Sequence, residues 1–212
     1  MAVRNVVTPS GRRVRGYFPS RKMGRLIAWE SQLERDAILL LEFSPGVLRY
    51  REQPERVHFQ LDGDAALYIP DFELELADGQ MMHVEVKPAA KLEKPDIALR
   101  FEAIARHYAR IGRGLRILTE AHIRRTPLLQ NLQLLAYHLG RHDQAEQRRL
   151  LDALWRSPAQ TIDAAAAVLG GVKFVYRLLA AGCYRCDLDQ PVSSATPIRP
   201  YVKEVDLASL LF

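Results

Sequence analysis

The sequence predicts an α/β fold, in which a mixed sheet flanked by helices is followed by a small winged-helix-like C-terminal domain. Up to Thr119 the hydrophobic pattern runs in the order helix, strands, helix, strand. From Gln144 onward it changes to short helical segments followed by two short strands. With 48% hydrophobic and 26% charged residues in a chain of 212, the composition is that of a folded protein with a sizeable core.

Positive charge is concentrated at the start of the chain. The net charge is +5, yet beyond residue 25 the chain carries 23 basic and 25 acidic residues. Residues 1–25 contain no acidic side chain and show neither helical nor strand periodicity, so we expect a flexible arm that follows a phosphate backbone. A solvated tail that only aids solubility is the alternative. The predicted DNA-binding residues are Arg12, Arg13, Arg15, Arg21, Lys22 and Arg25.

Hydrophobic spacing and turn residues define the elements that follow the arm. Apolar residues recur at helical spacing over 26–43, and Ser44-Pro45-Gly46 ends this helix. Asp78-Gly79 is the strongest hairpin signal in the sequence. The predicted strands are 47–51, 57–61, 68–76, 81–87 and 115–119, and the further helices are 95–111 and 128–139.

The last third of the chain has the element order of a winged helix-turn-helix. We expect helices over 144–155, 161–169 and 172–181, then strands over 183–188 and 197–202. The predicted domains are therefore the arm (1–25), the sheet domain (26–141) and the winged-helix-like domain (142–212).

Two classes of protein are not expected from the sequence. No window approaches the roughly 20 apolar residues of a membrane span, and the N-terminus lacks a secretory signal, so we expect a cytoplasmic protein without a membrane partner. Cys183 and Cys186 form a single C-x-x-C pair without further ligands at zinc spacing. We expect them to be small, half-buried residues.

The residues that indicate chemistry are Pro70-Asp71 and, 14 positions after Asp71, Glu85-Val86-Lys87. Side chains alternate along a strand, so Glu85 and Lys87 share one face, and pairing across the hairpin can bring Asp71 beside Glu85. Converging carboxylates repel, and Mg²⁺, which prefers oxygen ligands, offsets this. Glu34 is a candidate third carboxylate. The alternative is an ordinary hairpin with an outward Glu–Lys pair.

The order of elements around this hairpin resembles the restriction-endonuclease-like fold of the PD-(D/E)xK nucleases. The chain is more narrowly similar to TnsA, the endonuclease subunit of heteromeric transposases. The similarity covers residues 26–141 well and the C-terminal part less specifically. The segments that carry it are SQLERD at 31–36, LEFSPGV at 41–47, YREQP at 50–54, YIPDF at 68–72 and VEVKP at 84–88.

This resemblance implies a catalytic site of Glu34, Asp71, Glu85 and Lys87. Metal ligands would come from the same three carboxylates and the carbonyl of Val86, for one or two Mg²⁺ ions, with Mn²⁺ able to substitute. Glu30 is an alternative to Glu34, and Gln53 matches a family position without an assigned role. His83 shares a strand face with Glu85 and Lys87, which places it at the margin of the expected site.

The resemblance also implies a function in cut-and-paste transposition. Such a subunit nicks double-stranded DNA on the 5′ side of transposon ends, beside the DDE transposase TnsB and the AAA+ regulator TnsC. It would associate with the nucleoid when acting, and the tail 205–212 would bind a partner. The alternatives are a stand-alone restriction or repair endonuclease and a catalytically inactive DNA-binding adaptor with the nuclease fold.

Overall fold

The computed structural model describes residues 14–140, 143–206 and 209–212. The chain divides into two compact units. The first comprises the chain up to Arg124 together with the C-terminal segment from residue 207, and the second is Arg125–Asp206. Within the described ranges, no helix combines the length and apolar character that crossing a bilayer requires.

The strands and helices are numbered in chain order. The strands are Gly16–Ser20 (β1), Arg25–Trp29 (β2), Val47–Glu52 (β3), Val57–Leu61 (β4), Asp64–Tyr68 (β5), Phe72–Leu76 (β6), Met81–Val86 (β7), Gly114–Leu118 (β8), Tyr184–Arg185 (β9) and Arg199–Pro200 (β10). The helices are Gln32–Phe43 (α1), Ala89–Leu92 (α2), Pro95–Arg110 (α3), Glu120–Ile123 (α4), Leu128–Tyr137 (α5), Gln144–Arg156 (α6), Ile162–Leu169 (α7), Val172–Ala180 (α8) and Lys203–Asp206 (α9).

The first unit is built around a mixed four-stranded sheet in the order β3-β6-β7-β8. The pairs β3-β6 and β6-β7 are antiparallel, and β7-β8 is parallel because α3 returns the chain to the same end of the sheet. On one face, Tyr50 reaches Glu42 of α1. On the other, His83 contacts Tyr108 of α3. The predicted mixed sheet flanked by helices is therefore confirmed.

A proline divides the predicted strand 68–76 into two. Tyr68 ends β5, which pairs with β4, whereas Phe72 begins β6 in the main sheet. Pro70 lies between them and has no N–H to donate to a ladder, so the chain changes partners at this point. The β4-β5 hairpin and α3 share an apolar cluster of Val57, Phe59, Tyr68, Phe101, Ala103, Ile104 and Tyr108.

The largest difference from the sequence prediction is at the start of the first unit. Residues 16–20 and 25–29 pair as an antiparallel hairpin, although the sequence predicted an irregular arm and the first turns of a helix. The helix begins only at Gln32 because Ser31 caps it: the hydroxyl of Ser31 accepts a hydrogen bond from the Glu34 N–H at 3.2 Å. The backbone before this cap is extended.

Glu42 holds the turn of this hairpin against the last turn of α1. Its carboxylate accepts hydrogen bonds from the Ser20 hydroxyl at 2.6 Å and the Tyr50 hydroxyl at 2.7 Å. The backbone N–H groups of Arg21 and Lys22 each donate to it at 2.9 Å. A buried carboxylate with four donors is well satisfied, so Glu42 joins the hairpin, the helix and β3.

The second unit contains α5 to α9 and the short antiparallel pair β9-β10. The predicted strands 183–188 and 197–202 reduce to two residues each, partly because Pro197 and Pro200 cannot donate ladder hydrogen bonds. Cys183 and Cys186 are half-buried free thiols, and the Gln147 side chain donates to the Cys183 sulfur at 2.8 Å.

The end of the tail packs within the first unit. The Gly46 N–H donates to the Ser209 carbonyl at 2.8 Å, and the Leu211 N–H donates to the Ser44 hydroxyl at 3.0 Å. Residues 209–212 are not helical, whereas α9 precedes them as a single turn. The described end of the tail is therefore held by hydrogen bonds between its backbone and residues 44 and 46.

An ion pair in the second unit predicts a pH-dependent stability. The Arg199 guanidinium donates to both Asp206 carboxylate oxygens at 2.9 and 2.6 Å and lowers the pKa of Asp206 to about 2. This lies below the ordinary value of 3.8, so the stabilisation is complete above about pH 4 and is lost as the pH falls toward about 2. Urea unfolding of wild type and Asp206→Asn should give free energies that converge over this range. A difference that stays constant would contradict the prediction.

Candidate active site

Asp71 lies against the end of β7 because of the break at Pro70. Its side-chain Oδ2 accepts a hydrogen bond from the Val86 N–H at 2.7 Å, and its carbonyl accepts one from the Gln53 N–H at 2.9 Å. The residue thus connects three strand ends. The convergence of Asp71 with Glu85-Val86-Lys87, predicted from the hairpin, is present in the structure.

Glu85, near the end of β7, and Lys87, directly after β7, form an ion pair. The Lys87 Nζ is 2.6 Å from Glu85 Oε1, and the Tyr68 hydroxyl donates to Glu85 Oε2 at 2.9 Å. Only 3% of Glu85 is exposed. The outward ion pair of an ordinary hairpin therefore does not describe these residues.

Glu34 reaches the same region from the N-terminus of α1. Its carboxylate accepts hydrogen bonds from the Glu30 N–H at 2.8 Å and the Ser31 hydroxyl at 2.9 Å. A carboxylate is favoured at this end of a helix, where backbone N–H groups point outward. Glu30, the alternative considered from the sequence, is buried beside it.

All of these side chains border one cavity of about 640 Å³. Its lining includes these carboxylates together with Lys87, Arg100 and Phe101. The Lys87 ammonium also lies 5.5 Å from the centroid of the Phe101 ring. The predicted site residues that border the cavity are Glu34, Asp71, Glu85, Val86 and Lys87.

The electrostatics of the cavity favour the arrival of positive charge. Burial, followed by the charges of Glu85 and Glu34, raises the pKa of Asp71 well above its usual range. Burial likewise raises the pKa values of Glu34 and Glu85. Burial alone would lower the pKa of Lys87, but the Glu85 carboxylate more than offsets it and the net pKa is raised. Four acidic residues, Glu30 among them, thus share the cavity with Lys87, Lys91 and Arg100.

Gln53 is a buried polar residue of this cavity whose role the sequence did not predict. Its φ of 43° is in the left-handed region, which costs a residue other than glycine about 1–3 kcal/mol. Gln53 is 6% exposed, and its side-chain Oε1 has no hydrogen-bond partner in the structure. The only sequence signal was its place in the YREQP segment.

The cavity fits a hard divalent cation. Carboxylate and amide oxygens are the ligands that Mg²⁺ and Mn²⁺ prefer, and both kinds are present here with excess negative charge. The buried Gln53 oxygen supports a bound cation independently of the carboxylates, because buried acceptors normally have a donor and this one has none. Glu34, Asp71 and Glu85 would supply the charged oxygens.

A second group of possible metal ligands lies on the same face of the sheet, at Glu55, Glu73 and His83, whose ligand atoms all lie within 4.8 Å of one another. The Arg113 guanidinium pairs with both glutamates, at 2.6 Å in the case of Glu73. Burial, then the Arg113 charge, lowers the pKa of His83. Arginine thus already supplies positive charge to this group.

Replacing Arg113 should destabilise the fold, because Glu55 and Glu73 would lose the positive charge that pairs with them. In Arg113→Ala, the buried Glu73 loses one of its cationic partners, so the free energy of unfolding should fall by about 2–3 kcal/mol. Urea unfolding in EDTA measures this loss, and Arg110→Ala, a nearby exposed arginine of α3, is the control. An unfolding free energy equal to that of wild type would show that the glutamates do not need the guanidinium.

The predicted DNA-binding residues have different positions. Arg12 and Arg13 lie outside the described residues, Arg15 precedes β1, and Arg21 lies in the β1-β2 turn. Two others have intramolecular roles. The Lys22 ammonium donates to the carbonyls of Leu41 and Ser44 at 2.7 and 2.8 Å, and the Arg25 guanidinium donates to both carboxylate oxygens of Glu52 at 2.7 and 2.6 Å.

Comparison with known proteins agrees with the resemblance noted in the sequence. Residues 44–120 match the family model described as "TnsA-like endonuclease N terminal". The matched segment includes Gln53, Asp71, Glu85 and Lys87, whereas Glu34 precedes it. No curated protein matches the chain. The predicted similarity to TnsA is confirmed, and the match supports a nuclease related to transposase subunits.

Proposed function

Since residues 44–120 form a TnsA-like endonuclease segment, we propose that this protein is a metal-dependent DNA endonuclease subunit of a heteromeric transposase. It nicks DNA on the 5′ side of transposon ends during cut-and-paste transposition. The observation that carries the proposal is that the carboxylates of Glu34, Asp71 and Glu85 and the ammonium of Lys87 border one cavity.

The cofactor of this proposal is Mg²⁺, with Mn²⁺ as a substitute. Glu34, Asp71, Glu85 and the carbonyl of Val86 would hold the cation in the cavity. When bound, the cation stabilises negative charge on a phosphodiester under attack and lowers the pKa of a bound water. The Tyr68 hydroxyl, which donates to Glu85, fixes the orientation of that carboxylate.

Lys87 acts as an ammonium ion in this scheme. Because Glu85 keeps the pKa of Lys87 above its ordinary value, the side chain is protonated at neutral pH. It donates a hydrogen bond to a phosphate oxygen and offsets the negative charge that develops there.

The remaining parts of the chain supply partner contacts in this proposal. The arm, with Arg12, Arg13 and Arg15, follows the DNA backbone at transposon ends. The α6-α7-α8 helices and the β9-β10 pair serve as a winged-helix-like domain. Together with the tail, this domain contacts the DDE transposase TnsB or the AAA+ regulator TnsC. The complex works on nucleoid DNA in the cytoplasm.

A strand-specific nicking assay tests the proposal and separates it from its alternatives. A supercoiled plasmid with the two ends of the element is incubated with Mg²⁺ and the purified protein, with and without TnsB-like and TnsC-like partners. We expect nicks at the 5′ sides only when the partners are present and Asp71 is intact. Nicking without partners would favour a stand-alone nuclease. Partner-dependent recombination that Asp71→Asn leaves unchanged would favour the inactive adaptor.

A further inference from the structure

Gln53 is held beside the carboxylates by its backbone. Its N–H donates to the Asp71 carbonyl at 2.9 Å, and Pro54 follows it directly. This hydrogen bond joins the end of β3 to the residue that precedes β6. The side chain consequently borders the same cavity as Glu34 and Glu85, even though the backbone must adopt a φ of 43°.

The side-chain oxygen of Gln53 is an acceptor in a part of the protein that is rich in acceptors. It is buried and has no partner, and the carboxylates that share the cavity cannot donate to it when ionised. The Lys87 ammonium is already engaged with Glu85 at 2.6 Å. A species that enters the cavity and donates a hydrogen bond or carries positive charge would satisfy this oxygen.

We propose that Gln53 is a positioning residue of the cation site, whose amide oxygen accepts a hydrogen bond from water bound to the cation. This inference rests on the proposed metal-dependent function. A neutral amide contributes an oxygen without adding another negative charge to a cavity where the carboxylates already repel one another. The amide thereby orients a water beside Asp71, and it acts through that water.

Mn²⁺ binding measures this role without any need for DNA or partner proteins. Free Mn²⁺ is followed by its electron paramagnetic resonance signal during titration of the full-length protein. Gln53→Leu removes the acceptor and should weaken Mn²⁺ binding by about tenfold, within the range found for residues that orient metal ligands. Gln53→Glu keeps an oxygen at the same place and adds charge, so it should bind Mn²⁺ at least as tightly as wild type.

Matched substitutions at Gln60, an exposed glutamine of β4, control for the general loss of an amide or gain of a charge. Gln60→Leu and Gln60→Glu should bind Mn²⁺ as wild type does. Thermal unfolding in EDTA shows whether each variant is folded, and Gln53→Glu, which conserves the size of the side chain, provides a folded variant if Gln53→Leu is unstable.

The outcomes separate this inference from the proposed function. Loss of binding in Asp71→Asn, weakening in Gln53→Leu and recovery in Gln53→Glu would support both. Wild-type binding that depends on Asp71 but is unchanged in Gln53→Leu would overturn the inference alone. Equal weakening in both Gln53 variants would also overturn it, because it would indicate only a packing role. A wild type that binds no Mn²⁺ would overturn both.

Discussion

Asp71→Asn should reduce DNA nicking on the order of 10³-fold and, in the absence of metal, make the protein more resistant to heat. The loss of activity follows from the removal of a charged oxygen at the centre of the cavity. The gain in stability follows because asparagine can still accept the Val86 N–H while no longer adding a carboxylate beside Glu34 and Glu85.

The stability gain has a definite pH dependence. The pKa of Asp71 is raised in the folded state, so ionisation of Asp71 weakens folding as the pH rises above its ordinary value of 3.8. The difference in melting temperature between Asp71→Asn and wild type should therefore grow from about pH 3.8 up to the raised pKa of Asp71 and stay constant above it. Each kcal/mol relieved should raise the melting temperature by about 2–4 °C.

Calorimetry in EDTA over a series of pH values measures this effect. Glu75→Gln is the control, because Glu75 is on β6 but outside the cavity. We expect the control to retain nicking and to show no such pH trend. A less stable Asp71→Asn protein would indicate that the carboxylate has a structural role beyond its contact with Val86, and the repulsion described above would be incorrect.

Glu42→Ala should lower the free energy of unfolding by about 3–4 kcal/mol. The substitution leaves the hydroxyls of Ser20 and Tyr50 and the N–H groups of Arg21 and Lys22 without their acceptor. Each buried donor without a partner costs about 1–3 kcal/mol, and water can reach only some of them.

Urea unfolding measures this loss, and two further variants show how much of it comes from individual hydrogen bonds. Tyr50→Phe removes one donor and should cost about 1 kcal/mol. Glu42→Gln keeps one accepting oxygen, so its loss of stability should lie between those of Tyr50→Phe and Glu42→Ala. Hydrogen exchange should show faster exchange of the β1-β2 amides in Glu42→Ala. If exchange there were unchanged, the hairpin would be held by its apolar contacts instead.

Local patterns were sufficient to predict that Asp71 lies close to Glu85-Val86-Lys87. The alternation along β7 and the Asp78-Gly79 turn depend only on neighbouring residues, and together they set the pairing of β6 with β7. The same kind of pattern failed for residues 26–31. Their apolar spacing is compatible with a helix, and only the pairing of Arg25–Trp29 with Gly16–Ser20 makes them a strand.

Gln53 could not be assigned from the sequence for a related reason. Its place depends on a hydrogen bond to Asp71, which exists only after β3 has paired with β6. Glu55 and Glu73 also went unnoticed as a group, although His83 was expected near the site. Glu55 and Glu73 are 18 positions apart in the sequence and become neighbours only through the fold, and Arg113 joins them from still farther along the chain.

Asp71 accepts one hydrogen bond at its side chain and another at its backbone carbonyl. If a descendant of this chain lost nuclease activity, the side-chain bond would still restrict which residue can replace Asp71. The Lys87 side chain contacts the Glu85 carboxylate and the Phe101 ring, and neither contact holds the backbone in place, so we expect position 87 to vary early. Position 71 must continue to offer an acceptor to the Val86 N–H. A pseudoenzyme descended from this chain is therefore expected to carry asparagine at position 71 and an unrestricted residue at position 87.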